Sequence, residues 1–149
     1  MSYERENESC VLVLFFSVLL LASFGFVYLV RAEFMPYHSV AVGLSWSAIP
    51  PQFQVLILAL MKAVGGTCVA LALLNFIVLI VPFRQGENWT FWALPLCALA
   101  QIAALVYAMS HVALNTAAKP PFWSSAIGAI LVIIAFILSL SGQKDRTKA

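Results

Sequence analysis

Four long apolar runs constrain this chain more than any other feature of its sequence. They cover residues 10–30, 55–83, 91–109 and 123–140. A helix of about 20 apolar residues crosses the hydrocarbon core of a bilayer, where only helices and closed barrels satisfy the backbone polar groups. The runs therefore predict an all-α integral membrane protein, a single domain over residues 1–149 that folds as a four-transmembrane-helix bundle.

The composition fits a protein whose outer surface meets lipid. Hydrophobic residues make up 63% of the chain and charged residues 9%, whereas an ordinary soluble domain has about 25% charged residues. The net charge of +2 is small and the basic residues are scattered, which argues against nucleic acid as a partner. The three cysteines form no CxxC motif, so neither a disulfide framework nor a thiol redox centre is expected.

The loop between the first two helices, residues 31–54, is the longest connection in the chain. It is aromatic and mostly uncharged after Glu33. Its aromatic anchors and prolines predict a long, partly ordered first extracytoplasmic loop, in which residues 37–46 could form a short helix at the membrane interface. The other two loops are short, so helices two, three and four are expected to be antiparallel neighbours.

Basic residues near the helix ends predict the orientation. One side holds five of them and the other side three: Arg5, Arg84, Lys144, Arg146 and Lys148 against Arg31, Lys62 and Lys119. The larger group marks the cytoplasmic side. We therefore expect a multi-pass protein of the cell membrane, in a bacterium the inner membrane, with both termini in the cytoplasm and a basic cytoplasmic tail over residues 143–149.

Lys62 is the one charged side chain inside an apolar run. It precedes Arg84 by 22 residues, about 33 Å along a helix, which puts it close to the outer boundary of the hydrocarbon core. Snorkelling or a structural ion pair is favoured there over direct contact with a ligand. Neighbouring Gly65 and Gly66 are expected to let another helix approach closely rather than to form a hinge.

Polar residues at the outer level form the candidate site. Tyr107, His111 and Asn115 recur at intervals of four residues and so share one face of the third helix. With Lys62 and polar residues of the first loop, they could converge in the outer half of the bundle. The candidate ligand-binding residues are Arg31, Glu33, His38, Lys62, Tyr107 and His111.

Structural roles are the alternative for several of these polar residues. Tyr107 can be an interfacial aromatic residue, His111 a packing residue, and Glu33 a solvated group or a partner of Arg31. In the cytoplasmic half, the sequence offers Asn75 and Gln101 as interhelical hydrogen-bond partners.

No catalytic or phosphate-binding motif occurs in the sequence. GxxxxGK[ST], GxGxxG and HExxH are absent, and the single aspartate, Asp145, lies in the tail. We therefore favour a non-enzymatic binder of a lipid-like or amphiphilic small molecule, or an accessory subunit of a membrane complex. Membrane lipids, a membrane protein or a second copy of the chain would be its partners. The alternative is a small membrane enzyme, with or without a metal, that uses His38 and His111; their spacing identifies no metal or cofactor.

The number and length of the helices resemble those of the small bacterial four-helix membrane proteins typified by the DoxX-like families. The likeness concerns architecture alone and implies a four-helix fold, and no function or site residue is carried over from it.

The orientation can be tested by labelling single introduced cysteines in intact cells, with the three native cysteines replaced. A cysteine at Ser39 should react with a membrane-impermeant maleimide, whereas one at Thr147 should react only after the cells are opened. The reverse pattern would contradict the predicted orientation.

Overall fold

The computed structural model describes the backbone of residues 2–146 and the side chains of residues 8–140. Helices α1 (Ser2–Val30), α2 (Pro36–Val42), α3 (Pro51–Val78), α4 (Thr90–Asn115) and α5 (Phe122–Arg146) follow one another along the chain. A 3₁₀ turn at Trp46–Ala48 precedes α3, and a π-helical turn at Leu79–Phe83 extends it. The described residues contain no strand, so the fold is all-helical.

Four of these helices are long and apolar enough to cross a membrane. Their candidate spans are Glu8–Val30, Pro51–Phe83, Thr90–Asn115 and Phe122–Leu140, which confirms the number and places of the four predicted runs. In the most apolar part of each span, at most 28% is buried inside the protein. Large apolar side chains therefore cover the outer surface, an arrangement that water penalises and a bilayer accommodates.

Helix α1 is the centre of the arrangement, because it packs against α3 on one side and α5 on the other. The Cys10 thiol donates to the carbonyl of Ala135 (3.3 Å), which links α1 to α5. Helix α4 completes the series through α5, where the Ser139 hydroxyl donates to the carbonyl of Phe91 (2.8 Å). The spatial order of the four long helices is thus α3, α1, α5, α4.

This order corrects one expectation. Helices α4 and α5 are neighbours as predicted, but α3 and α4 make few contacts although a short loop joins them. They meet mainly at the π-helical turn, where the rings of Phe83 and Phe91 lie 4.9 Å apart. The physical reason is that the long first loop lets α1 lie against both α3 and α5, so α4 reaches the bundle through α5 instead.

The closest helix contact is the crossing of α1 and α3 at two glycines. A Cβ atom built on Gly65 would lie 2.7 Å from the carbonyl oxygen of Gly25 and 2.9 Å from the backbone nitrogen of Leu29. A Cβ atom on Gly25 would lie 2.8 Å from the carbonyl oxygen of Gly65. The prediction of a close helix approach is confirmed for Gly65. Gly66 has no such contact, since a Cβ atom there would meet nothing closer than a side-chain methyl of Leu29 at 4.0 Å.

The last helix is longer than the sequence indicated. It continues to Arg146, so residues 143–146 of the expected tail are helical, because one glycine at position 142 costs a helix only about 1 kcal/mol. The remaining residues of the tail, and the side chains of Arg5, Lys144, Arg146 and Lys148, lie outside the part that the structure describes. The orientation therefore stays a prediction.

Replacing Gly65 by alanine should destabilise the bundle by about 1–3 kcal/mol, because its Cβ would meet the α1 backbone. Gly66→Ala is the matched control and should be neutral or slightly stabilising, because the position is open and alanine favours helix. Denaturant titration of both variants in micelles measures the difference. Equal stability of the two would contradict a close crossing at Gly65.

Candidate functional site

A cavity of about 320 Å³ lies between α1, α3, α4 and α5, beside the seam where α3 and α4 make few contacts. Its wall on α1 reaches from Ser17 to Tyr28, and its wall on α3 consists of Leu60, Met61 and Val64 at one end and Asn75 at the other. By helical rise these walls are about 16 and 22 Å long. The cavity is therefore an elongated shaft, and its volume is at the lower end of the range for small-molecule sites.

The first loop builds one end of this shaft, which we call the mouth. Phe34 and Ile49 belong to this loop and are buried in a cluster with Tyr28 and Met61. The ring of Phe34 lies 4.9 Å from that of Trp46 in an edge-on contact. The side-chain amide of Gln54 donates to the carbonyls of Trp46 (2.8 Å) and Ile49 (3.0 Å). These contacts hold α2 over the bundle, so that Tyr37 and His38 reach the cavity.

The mouth carries hydrogen-bonding groups without formal charge. The hydroxyls of Tyr28 and Tyr37 bond each other at 2.8 Å, which leaves one hydroxyl hydrogen of the pair for another acceptor. The ring of His38 lies edge-on against Tyr37 at 4.2 Å. Burial lowers the pKa of His38 below its ordinary value of 6.5, so the imidazole is neutral at physiological pH and offers one donor and one acceptor.

Two amides line the deeper part of the shaft, away from the mouth. Gln101 on α4 donates weakly from Nε2 to the sulfur of Cys68 on α3, at 3.5 Å, and this bears out its expected interhelical role. Asn75 is only 9% exposed. Within the part of the chain that the structure describes, no protein group forms a hydrogen bond with its side-chain amide. The expected interhelical hydrogen bond is therefore absent for Asn75.

Lys62 has a structural partner at the end of α1. Its ammonium donates to the carbonyl of Leu29 at 2.9 Å, one of the last carbonyls of a helix that ends at Val30. Such carbonyls have no partner within the helix and carry its partial negative charge, so a cation stabilises them. The lysine is exposed and does not line the cavity, which supports the structural interpretation of this residue.

The other candidate residues lie apart from the shaft, except His38. Arg31 is half-buried and Glu33 exposed in the turn between α1 and α2. Tyr107 is 75% exposed and His111 is also exposed on α4. Of the six residues selected from the sequence, all of which are described, His38 alone contributes to the cavity wall.

Sequence reasoning missed Tyr28, Ser124 and Ser125, which also line the cavity. Tyr28 is the last aromatic residue of the first apolar run, and Ser124 and Ser125 lie at the beginning of the fourth run. In the sequence, all three therefore look like ordinary residues near a helix end. Tyr28 faces inward because α1 and α3 cross closely at this level. The sequence contains no signal that predicts how α1 is rotated about its axis.

Comparison with known proteins adds no family: no family model, curated protein or solved structure matches this chain. Within the residues that the structure describes, no group of three or more histidine, cysteine, aspartate or glutamate side chains could hold a metal ion.

The lowered pKa of His38 predicts a pH dependence of stability. As pH falls below 6.5, the unfolded chain takes up a proton before the folded protein does, so stability decreases towards acid. Between about pH 7.5 and about pH 5 the melting temperature should fall less in His38→Phe than in the wild type, since phenylalanine keeps the ring and cannot titrate. Identical pH profiles for the wild type and His38→Phe would show that burial does not affect this histidine.

Proposed function

We propose that this chain is a non-enzymatic protein of the cell membrane that binds a single-chain, lipid-like amphiphile in the shaft. The observation that carries the proposal is the combination of an apolar shaft with an uncharged polar mouth formed by Tyr28, Tyr37 and His38. The chain of the ligand lies along the shaft, and its headgroup meets the mouth at the extracytoplasmic side.

The dimensions of the shaft support an acyl or similar chain. Its walls are about 16–22 Å long by helical rise, and one leaflet of a bilayer contributes about 15 Å of hydrocarbon. A chain gains little hydrophobic free energy when it moves from lipid into an apolar protein cavity, because both surroundings are apolar. Selectivity therefore has to come from the shape of the shaft and from its polar groups.

The mouth favours a neutral headgroup. No aspartate, glutamate, lysine or arginine is among the described residues that line the cavity, and the pKa of His38 is lowered by burial. An ionised headgroup would lose hydration there without gaining an opposite charge, which is costly. Hydroxyl, ester or amide groups instead match the phenolic hydroxyls and the neutral imidazole.

The seam between α3 and α4 gives the ligand a route from the bilayer. Leu60 and Val64 line the cavity and are nevertheless 60% and 42% exposed on α3. The shaft is therefore open on the lipid-facing side, and a chain can enter sideways without passing through water.

The enzymatic alternative has less support from the arrangement of the histidines. His38 lines the cavity, while His111 is exposed on α4 and does not. A general base acts within hydrogen-bond reach of the reacting group, and only one of the two histidines is at the site. A role as accessory subunit rests on no particular contact and becomes an outcome of the experiment below.

A photoactivatable monoacylglycerol, with a diazirine in its chain, tests the proposal in phosphatidylcholine nanodiscs. Mass spectrometry should find labelled residues inside the shaft, such as Leu21, Met109 and Val132, in addition to lipid-facing residues. Ala98→Leu places a larger side chain in the shaft and should weaken the shaft labelling about tenfold.

Ala100→Leu is the matched control, because Ala100 is exposed on the same helix and lies off the cavity. It should leave the shaft labelling unchanged. Labelling confined to lipid-facing residues in every protein would overturn the proposal and leave the accessory role. Hydrolysis of the probe by the wild type would favour the enzymatic alternative.

A further inference from the structure

The side chain of Asn75 is the unexplained polar group of this molecule. It is 9% exposed and lines the cavity, and within the described residues no protein group donates to it or accepts from it. Its backbone carbonyl is used by the helix, as acceptor for the N–H of Leu79. A buried amide without a partner is unfavourable, and more so where the dielectric constant is low.

The position of Asn75 shows what could satisfy it. The next residue, Phe76, contacts Phe15 on α1 at a ring distance of 6.2 Å, so Asn75 lies near the level of Phe15 and Ser17. Ser17 also lines the cavity, but its hydroxyl donates to the carbonyl of Leu14 at 2.7 Å. At the end of the shaft remote from Tyr28 and His38, Ser17 can therefore only accept a hydrogen bond, whereas the Asn75 amide offers both donors and an acceptor.

We propose that the ligand carries a second hydrogen-bonding group, a hydroxyl or carbonyl, at the end of its chain, and that this group bonds Asn75. The inference rests on the proposed function and narrows it from amphiphiles with one polar end to long-chain molecules with a polar group at both ends. The amide is suited to such a group because it can donate to a carbonyl or accept from a hydroxyl. A plain methyl terminus would leave Asn75 without a partner.

Competition against the photoactivatable monoacylglycerol tests this. Two competitors of equal chain length are compared, one with an unsubstituted acyl chain and one with a hydroxyl on the terminal carbon. The wild type should prefer the hydroxylated competitor about tenfold, relative to Asn75→Leu. The ratio between the two proteins cancels the different partitioning of the competitors into the nanodisc.

Asn75→Leu also has a readout that needs no ligand. Leucine removes an unpartnered buried amide at similar size, so the melting temperature of the ligand-free variant should rise. Gln101→Leu is the control within the same cavity, because its amide has a partner in Cys68, and it should neither raise the melting temperature nor remove the preference.

The outcomes separate the two proposals. If neither competitor displaces the probe, the proposed function fails. If both displace it equally well in the wild type and in Asn75→Leu, the ligand site stands and the second polar contact is refuted. A preference that disappears in Gln101→Leu but persists in Asn75→Leu would also refute the assignment to Asn75.

Discussion

The contact between Gly25 and Gly65 determines where the other helices lie. Because neither residue has a side chain, the backbone of α1 comes within van der Waals distance of α3, and close packing of this kind holds helices together where no hydrophobic drive acts between them. Helix α1 then meets α5 on its other side, and α5 holds α4 through Ser139 and Phe91. Helix α4 thereby stays apart from α3, and the shaft is the space that this order leaves open.

The same crossing also builds the mouth of the shaft. Tyr28 follows Gly25 by one helical turn, and its Cβ lies against the position of Gly65, so its hydroxyl is held where Tyr37 can bond it. Just beyond, Lys62 bonds the carbonyl of Leu29 and fixes the end of α1 to α3. Lys62, for which the sequence favoured a structural role over ligand contact, therefore supports the mouth from outside the cavity.

The four long helices could be predicted from the sequence, because the length of an apolar run directly indicates a membrane-spanning helix. The sequence also identified Gly65, together with Gly66, as a point of close helix approach, and it favoured a structural role for Lys62 near the outer boundary of the hydrocarbon core. It failed where the answer depends on how each helix is rotated and which helices are neighbours. Tyr107 and His111 share a face of α4, but that face is exposed. Asn75 instead lines the cavity, because α3 and α4 are separated there. The short loop between these two helices gave no indication of that separation.

In the proposed function, the energetics of a bilayer would give a single buried amide a large effect on selectivity. In water, the burial of each additional methylene group contributes about 0.8 kcal/mol, so chain length dominates affinity. In lipid, that contribution nearly vanishes because the chain is already in hydrocarbon, whereas an unpaired buried amide still costs about 1–3 kcal/mol. An unpaired Asn75 therefore lowers the stability of the folded protein, and a polar chain terminus is the kind of group that would offset this cost. For the ligand that we propose, the polar ends, rather than the apolar middle, would then decide which molecule the shaft retains.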